Sequence, residues 1–153
     1  MVSQVLFSSK SENWQTSKKL FDQLNLEYEF QLDPCTNEDN PLRTPYFYTK
    51  EQNGLLKSWN FGNVFVNPPY NREIEKWLEK AIHEIKYSDK IEYIVFLLPV
   101  RTDTSWFHKY IYDIRTHDYR NHIEDVCFLK GRLKFGNSKN SAPFPSMIVV
   151  FSK

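Results

Sequence analysis

The sequence predicts an α/β sandwich: a shortened, mostly parallel sheet with an antiparallel pair of strands at its C-terminal edge. Three observations predict it. Strand-like and helix-like segments alternate through the first two thirds of the chain. Residues 91–98 form a near-continuous apolar run, as a strand buried on both faces requires. The last apolar runs, 126–129 and 147–151, follow one another without a helix between them, as antiparallel neighbours do. With 153 residues, 41% of them hydrophobic, one domain spanning 1–153 is expected, large enough for a real core.

The elements follow in order. Residues 1–13 are polar and read as an irregular arm. Thr16 or Ser17 caps a helix to about residue 25, with Leu20, Phe21 and Leu24 inward. Over 26–32 apolar Leu26, Tyr28, Phe30 and Leu32 alternate with polar neighbours, the pattern of a strand with one wet face. It ends at Asp33-Pro34-Cys35, and a turn-rich run leads to a second short strand at 46–49 and a turn at Asn53-Gly54. Asn63-Val64-Phe65-Val66 reads as a buried strand. Ile74, Trp77, Leu78, Ala81, Ile82 and Ile85 then repeat with helical spacing to about residue 87. Pro99 ends the strand at 91–98. Asp103 or Thr104 caps a helix through about residue 114, with Trp106, Phe107, Tyr110 and Ile111 available for packing. Residues 133–135 form a weak extra strand. Only 33 residues separate Asp33 from Asn67, too few for two full βα units, so the sheet is expected to be shortened and partly uncovered beside its first strand.

Composition excludes several functions. No apolar run reaches membrane-span length, and the N-terminus starts no signal-like pattern, so the expected compartment is the cytoplasm. Cys35 and Cys127 form no CxxC pair and read as free thiols. Four glycines supply neither a dinucleotide fingerprint nor a phosphate loop. The histidines have no partners at ligand spacing, so no metal site is expected. The net charge of +1 divides unevenly: residues 1–100 hold 11 Lys+Arg against 14 Asp+Glu, residues 101–153 hold 9 against 5. A basic C-terminal third suits a phosphate backbone or a solvated face.

Asn67-Pro68-Pro69-Tyr70 carries the most chemistry. Two prolines fit neither the strand before nor the helix after, so they force a rigid extended turn at a strand's carboxyl end. Ligands bind at such ends in open α/β sheets. Asn67 offers an amide oxygen, Pro68 a carbonyl and Tyr70 an aromatic face, a set that suits a planar amino group and the methylation of exocyclic amines. Asp33 can accept from an ammonium or a ribose hydroxyl of a cofactor, or merely start a turn. Trp14 and Thr16 could close over that cofactor, or serve as core residue and helix cap. Arg101 can reach a phosphate, and Trp106 can stack on a base or pack as core. The run from Gly131 to Ser146 mixes glycines, cations, amides and aromatics, as backbone-contacting loops do.

These motifs, in this order, resemble the small phage-associated DNA N6-adenine methyltransferases, the Dam-like family. The resemblance rests on Asn13-Trp14-Gln15-Thr16, Leu32-Asp33-Pro34-Cys35, Phe47-Tyr48-Thr49-Lys50-Glu51 with Gly54-Leu55, Val66-Asn67-Pro68-Pro69-Tyr70, and Leu98-Pro99-Val100-Arg101-Thr102-Asp103-Thr104 with Trp106-Phe107-His108. Gly131-Arg132-Leu133-Lys134-Phe135-Gly136 and Ala142-Pro143-Phe144-Pro145-Ser146 complete it. It implies a shortened Rossmann-like, S-adenosylmethionine-dependent methyltransferase sandwich that methylates N6 of adenine in double-stranded DNA. By that resemblance Asn67, Pro68, Pro69 and Tyr70 are catalytic, with Tyr70 stacking on a flipped-out adenine. Trp14, Thr16, Asp33, Pro34, Cys35, Thr49 and Glu51 bind the cofactor. Arg72, Arg101, Asp103, Trp106, His108, Arg132, Lys134, Lys139 and Asn140 contact DNA. Ser17 stands where the family commonly has Pro, and Gln52-Asn53 where acidic residues are common, leaving Glu51 as the carboxylate there. The implied setting is the cytoplasm of a phage-infected or prophage-carrying bacterium, in protection (restriction–modification) or regulation. The chain lacks room for a separate target-recognition domain, so specificity is short, weak or supplied by homodimerisation. Cytosine N4, RNA or a protein glutamine as acceptor, and a catalytically silent DNA-binding relic, are the alternatives.

Overall fold

A computed structural model describes residues 14–136 and 138–153; the expected arm at 1–13 lies outside them. Helix α1 (Lys18–Tyr28) starts at Ser17, whose hydroxyl accepts from Leu20 N–H at 3.3 Å. It ends at Glu29, with φ 49° and its N–H on Asn25 O. The strand expected at 26–32 is therefore corrected. Leu20, Leu24 and Tyr28 also keep helical spacing, and that spacing carries the helix a further turn. Leu26, expected to point inward, is 87% exposed. Asn25 Oδ1 accepts from Phe30 N–H at 2.7 Å and turns the chain into β1 (Leu32–Thr36). Asp33-Pro34-Cys35 thus lies inside the strand it was expected to end.

Strands β2 (Tyr46–Thr49), β3 (Val64–Val66) and β4 (Tyr93–Pro99) follow, with β7 (Ile123–Phe128) and β8 (Ser146–Ser152) last. The sheet order is β2-β1-β3-β4-β8-β7, parallel from β2 through β4. Strand β8 is antiparallel to β4 from Tyr93↔Ser152 to Pro99↔Ser146, and also to β7. The reversed strand therefore sits one place in from the edge, and β7 runs in the same direction as β1–β4. Ile94 to Leu98 on β4 are fully buried, as their apolar run predicts.

Helix α2 (Ile74–Tyr87) buries Ile74, Trp77, Leu78, Ala81 and Ile85, matching its spacing. Helix α3 (Ser105–Tyr110) is capped by Thr104, whose hydroxyl accepts from Phe107 N–H. It stops four residues short of expectation, because Tyr112–Asp113 (β5) pairs with Asp118–Tyr119 (β6) in a small hairpin. Asp113 braces that hairpin by accepting from Arg115 and Arg120. Residues 133–135 form no strand; Leu133 O instead accepts from Ala142 N–H at 2.7 Å across an irregular loop. Among the described residues no helix is long and apolar enough to cross a membrane.

Candidate active site

The chain passes from β1 to β2 on one side and then returns to β3 on the other, so the strand order reverses between β1 and β3. Such switch points open crevices at the carboxyl ends of strands. Here the opening is local: β1 pairs with β3 only at Leu32↔Val64. Pro34 has no N–H to contribute, and the β1–β2 register shifts between Asp33 and Thr36. A cavity of about 650 Å³ lies at this end, within the size range of small-molecule sites. Its wall includes Trp14, Thr16, Asp33, Pro34, Cys35 and Thr49, together with Asn67, Pro68 and Pro69.

Asn67 is held from behind. Its Nδ2 donates to the carbonyl of Trp14 and to Thr16 Oγ1, the latter at 2.9 Å. A carbonyl can only accept, so this contact fixes which end of the amide faces which way. Oδ1 is left buried, with no partner among the described residues. A buried acceptor without a donor costs free energy that an incoming N–H recovers.

Asp33 is 3% exposed, with Oδ1 accepting from Cys35 N–H at 3.2 Å. Burial pushes its carboxyl up to about 7, although the Cys35 N–H and the Thr36 hydroxyl pull it back. A carboxylate so short of solvent favours a cationic neighbour. Burial, with the Asp33 and Glu73 carboxylates, pushes the Cys35 thiol up to about 12, so it lines the cavity as a neutral thiol. Thr49 is buried and its N–H donates to Gln52 Oε1 at 2.8 Å. Glu51, expected here, is exposed and does not line the cavity.

Tyr70 is 4% exposed and donates its hydroxyl to Leu97 O at 3.2 Å. Burial holds its phenol well above the usual range, with the Arg101 guanidinium acting the other way. Its ring packs against Phe144 and Phe135, at centroid distances of 5.6 and 6.3 Å, and both also meet Trp14. The loop between β7 and β8 is therefore pinned beside Asn67 by its own aromatics. Gly136 joins it to the chain's start, donating N–H to Gln15 O at 2.6 Å with φ 55°, a conformation that favours glycine.

The residues expected to meet DNA divide. Arg72, Asp103, Arg132, Lys134, Lys139 and Asn140 are exposed, and Arg101 is half-buried. His108 is also half-buried, with Nε2 2.7 Å from Thr102 O. Trp106 is corrected as a surface contact: it is 6% exposed and packs beside Phe107, the core role of the two open to it. Sequence reasoning missed Glu73 and Trp77, which also line the cavity, one from the N-cap of α2 and the other from its first turn. Trp77 registered only as part of an apolar helical face, and Glu73 carried no signal that separates it from the chain's other carboxylates. It also missed how Gly54 closes the floor. A Cβ there would lie 2.1 Å from Pro34 O, so only glycine allows the turn Gly54–Leu56 to sit on β1.

The chain matches the family model for DNA N-6-adenine-methyltransferase (Dam) over residues 3–153, and it belongs to that family. No curated protein matches it. Among solved structures, the 23S rRNA methyltransferase ErmE aligns with a TM-score of 0.51 at 9% identity, over 92% of this chain and 70% of its own. A candidate RNA methyltransferase from Pyrococcus horikoshii gives 0.46 at 14%, over 70% of this chain and 50% of its own. The chain thus spans about half the length of the latter. Likeness at such identities speaks to fold alone, and the fold is the Rossmann-like one of methyltransferases. The description of that family names methyl transfer to N6 of adenine in DNA.

Proposed function

We propose that this Dam-family chain transfers a methyl group from S-adenosylmethionine to the N6 amino group of adenine in double-stranded DNA. The observation that carries the reading is Asn67: an amide pinned through its nitrogen, with a buried oxygen that has no partner among the described residues, on a rigid strand-end turn. That oxygen, with the Pro68 carbonyl, accepts from the two N–H groups of an exocyclic amine and leaves its lone pair free. Bound S-adenosylmethionine supplies an electrophilic sulfonium methyl. The buried Asp33 carboxylate, with its appetite for a cation, fits the donor's ammonium-bearing half. No general base is required in the cradle, because rate comes from alignment and from fixed acceptors facing the developing positive charge.

Adenine inside a duplex cannot reach a strand-end turn, so it is flipped out at a cost of a few kcal/mol. Stacking on Tyr70 offsets part of that cost, and it requires Phe135 and Phe144 to yield. Arg132, Lys134 and Lys139 are exposed on the loop carrying those rings, which suits them to phosphate contact. The cradle recognises an amino group rather than a ring, so cytosine N4 would fit the same acceptors. The family favours adenine. The test is methyl-labelled S-adenosylmethionine with duplexes that contain or lack adenine. Label should enter only the adenine-containing DNA; label in the adenine-free duplex, or in RNA alone, would refute the assignment.

A further inference from the structure

Two residues that line the cavity each bury a polar atom without a partner among the described residues: Asn67 its Oδ1 and Trp77 its indole Nε1. The proposed reaction absorbs the first and leaves the second unexplained. Trp77 lies on α2 and is 5% exposed. Its ring stacks on Trp59, with centroids 6.1 Å apart and planes 24° apart. Trp59 satisfies its own Nε1 on Gly54 O at 2.9 Å. Stacking accounts for an aromatic ring at position 77 but not for an indole, since Phe would stack without burying an N–H. An indole nitrogen can only donate, and a buried donor left unmade costs about as much as a lost hydrogen bond.

We propose that Trp77 is a binding residue for the methyl donor, its Nε1–H donating to an uncharged nitrogen or oxygen acceptor on the donor's nucleoside half. This rests on the cofactor reading above. The turn Gly54–Leu56 packs on α2, and Asn53, Gly54 and Leu55, all uncharged, line the cavity with Trp77. Asp33 and Glu73 border the same cavity, against a single lining cation among the described residues, Lys50. An anionic acceptor such as the donor's carboxylate would therefore meet like charge, whereas a ring nitrogen or ribose oxygen would not. Trp77 thus selects for the nucleoside, while Asp33 attends to the charged end.

The test is calorimetric titration of the whole chain with S-adenosylhomocysteine, comparing wild type with Trp77→Phe, alongside melting of both without ligand. The variant should bind about five- to tenfold more weakly, while its unliganded melting temperature holds or rises. Analogues of the ligand lacking one ring nitrogen or one ribose hydroxyl identify the acceptor. One of them should lose the same factor against wild type and nothing against Trp77→Phe. Equal binding by both proteins, or equal losses in both for every analogue, overturns the assignment. Should Trp77→Phe fail to fold, the analogue series on wild type decides alone, and no weakened analogue overturns it. Wild type that binds no S-adenosylhomocysteine overturns the cofactor reading itself, an outcome separate from the others.

Discussion

Replacing Asp33 with Asn should stabilise the unliganded protein at alkaline pH while weakening donor binding and removing its pH dependence. Asp33 is 3% exposed and its carboxyl sits at about 7 rather than the ordinary 3.8, because burial penalises the charged form. Between those two values the folded chain holds a proton that the unfolded chain has lost. Stability therefore falls as pH rises from about 4 to 7, and is level above. At about 1.36 kcal/mol per pH unit, the difference bounds the penalty at about 4 kcal/mol at pH 8 and above. Asparagine carries no such penalty, and its Oδ1 can still accept from Cys35 N–H. Thermal melts of both proteins from pH 4.5 to 9 should nearly coincide at the acid end. They should diverge through neutrality, with the variant higher by several degrees, at roughly 2–4 °C per kcal/mol for a chain of this size. In wild type the donor should bind with proton release below pH 7, its affinity rising up to about tenfold per pH unit and then levelling. In Asp33→Asn that slope should vanish and the affinity fall. Parallel melting curves across the whole range would refute the reasoning, since Asp33 would then be ionised at no cost.

Asn67→Ala should lower the turnover rate by at least about a hundredfold while S-adenosylhomocysteine affinity changes little, as single-turnover kinetics and calorimetry would establish. Gly54→Ala should destabilise the fold by about 2–4 kcal/mol, because its Cβ would lie 2.1 Å from Pro34 O; urea midpoints measure this. Joint replacement of Arg132, Lys134 and Lys139 by Ala should weaken duplex binding regardless of sequence. It should also flatten the log–log salt dependence by about two to three units, read by fluorescence anisotropy.

What the sequence revealed, and what it hid, has physical causes. Residues 94–98 were legible because full burial on both faces leaves no room for polar residues. Residues 74–87 were legible because one apolar stripe recurs at helical spacing. The switch-point turn at Asn67 was legible because two consecutive prolines tolerate so few backbone conformations. Residues 26–32 misled because a helix's last turn, a left-handed Glu29 and a strand entry together imitate alternation. The spacing of Leu20, Leu24 and Tyr28 and the Asn25 side chain, capping Phe30 from five residues away, distinguish the two. The β5–β6 hairpin was hidden because strands of two residues carry no period at all. Trp106 lost its surface role, and Trp77 gained a cavity role, for one reason: an aromatic on a helix reads as core whether or not the residue also lines a cavity. The Asn67 clamp was out of reach, because Trp14 and Thr16 act on it from more than fifty positions upstream.

The most direct measurement is mass spectrometry of nucleosides from adenine-containing duplex DNA after incubation with S-adenosylmethionine and either wild type or Asn67→Ala. N6-methyldeoxyadenosine should appear with wild type and stay at background with the variant, while both proteins still bind S-adenosylhomocysteine. Undiminished N6-methyldeoxyadenosine from Asn67→Ala, or another methylated nucleoside in its place from wild type, would contradict the role assigned to the buried amide oxygen.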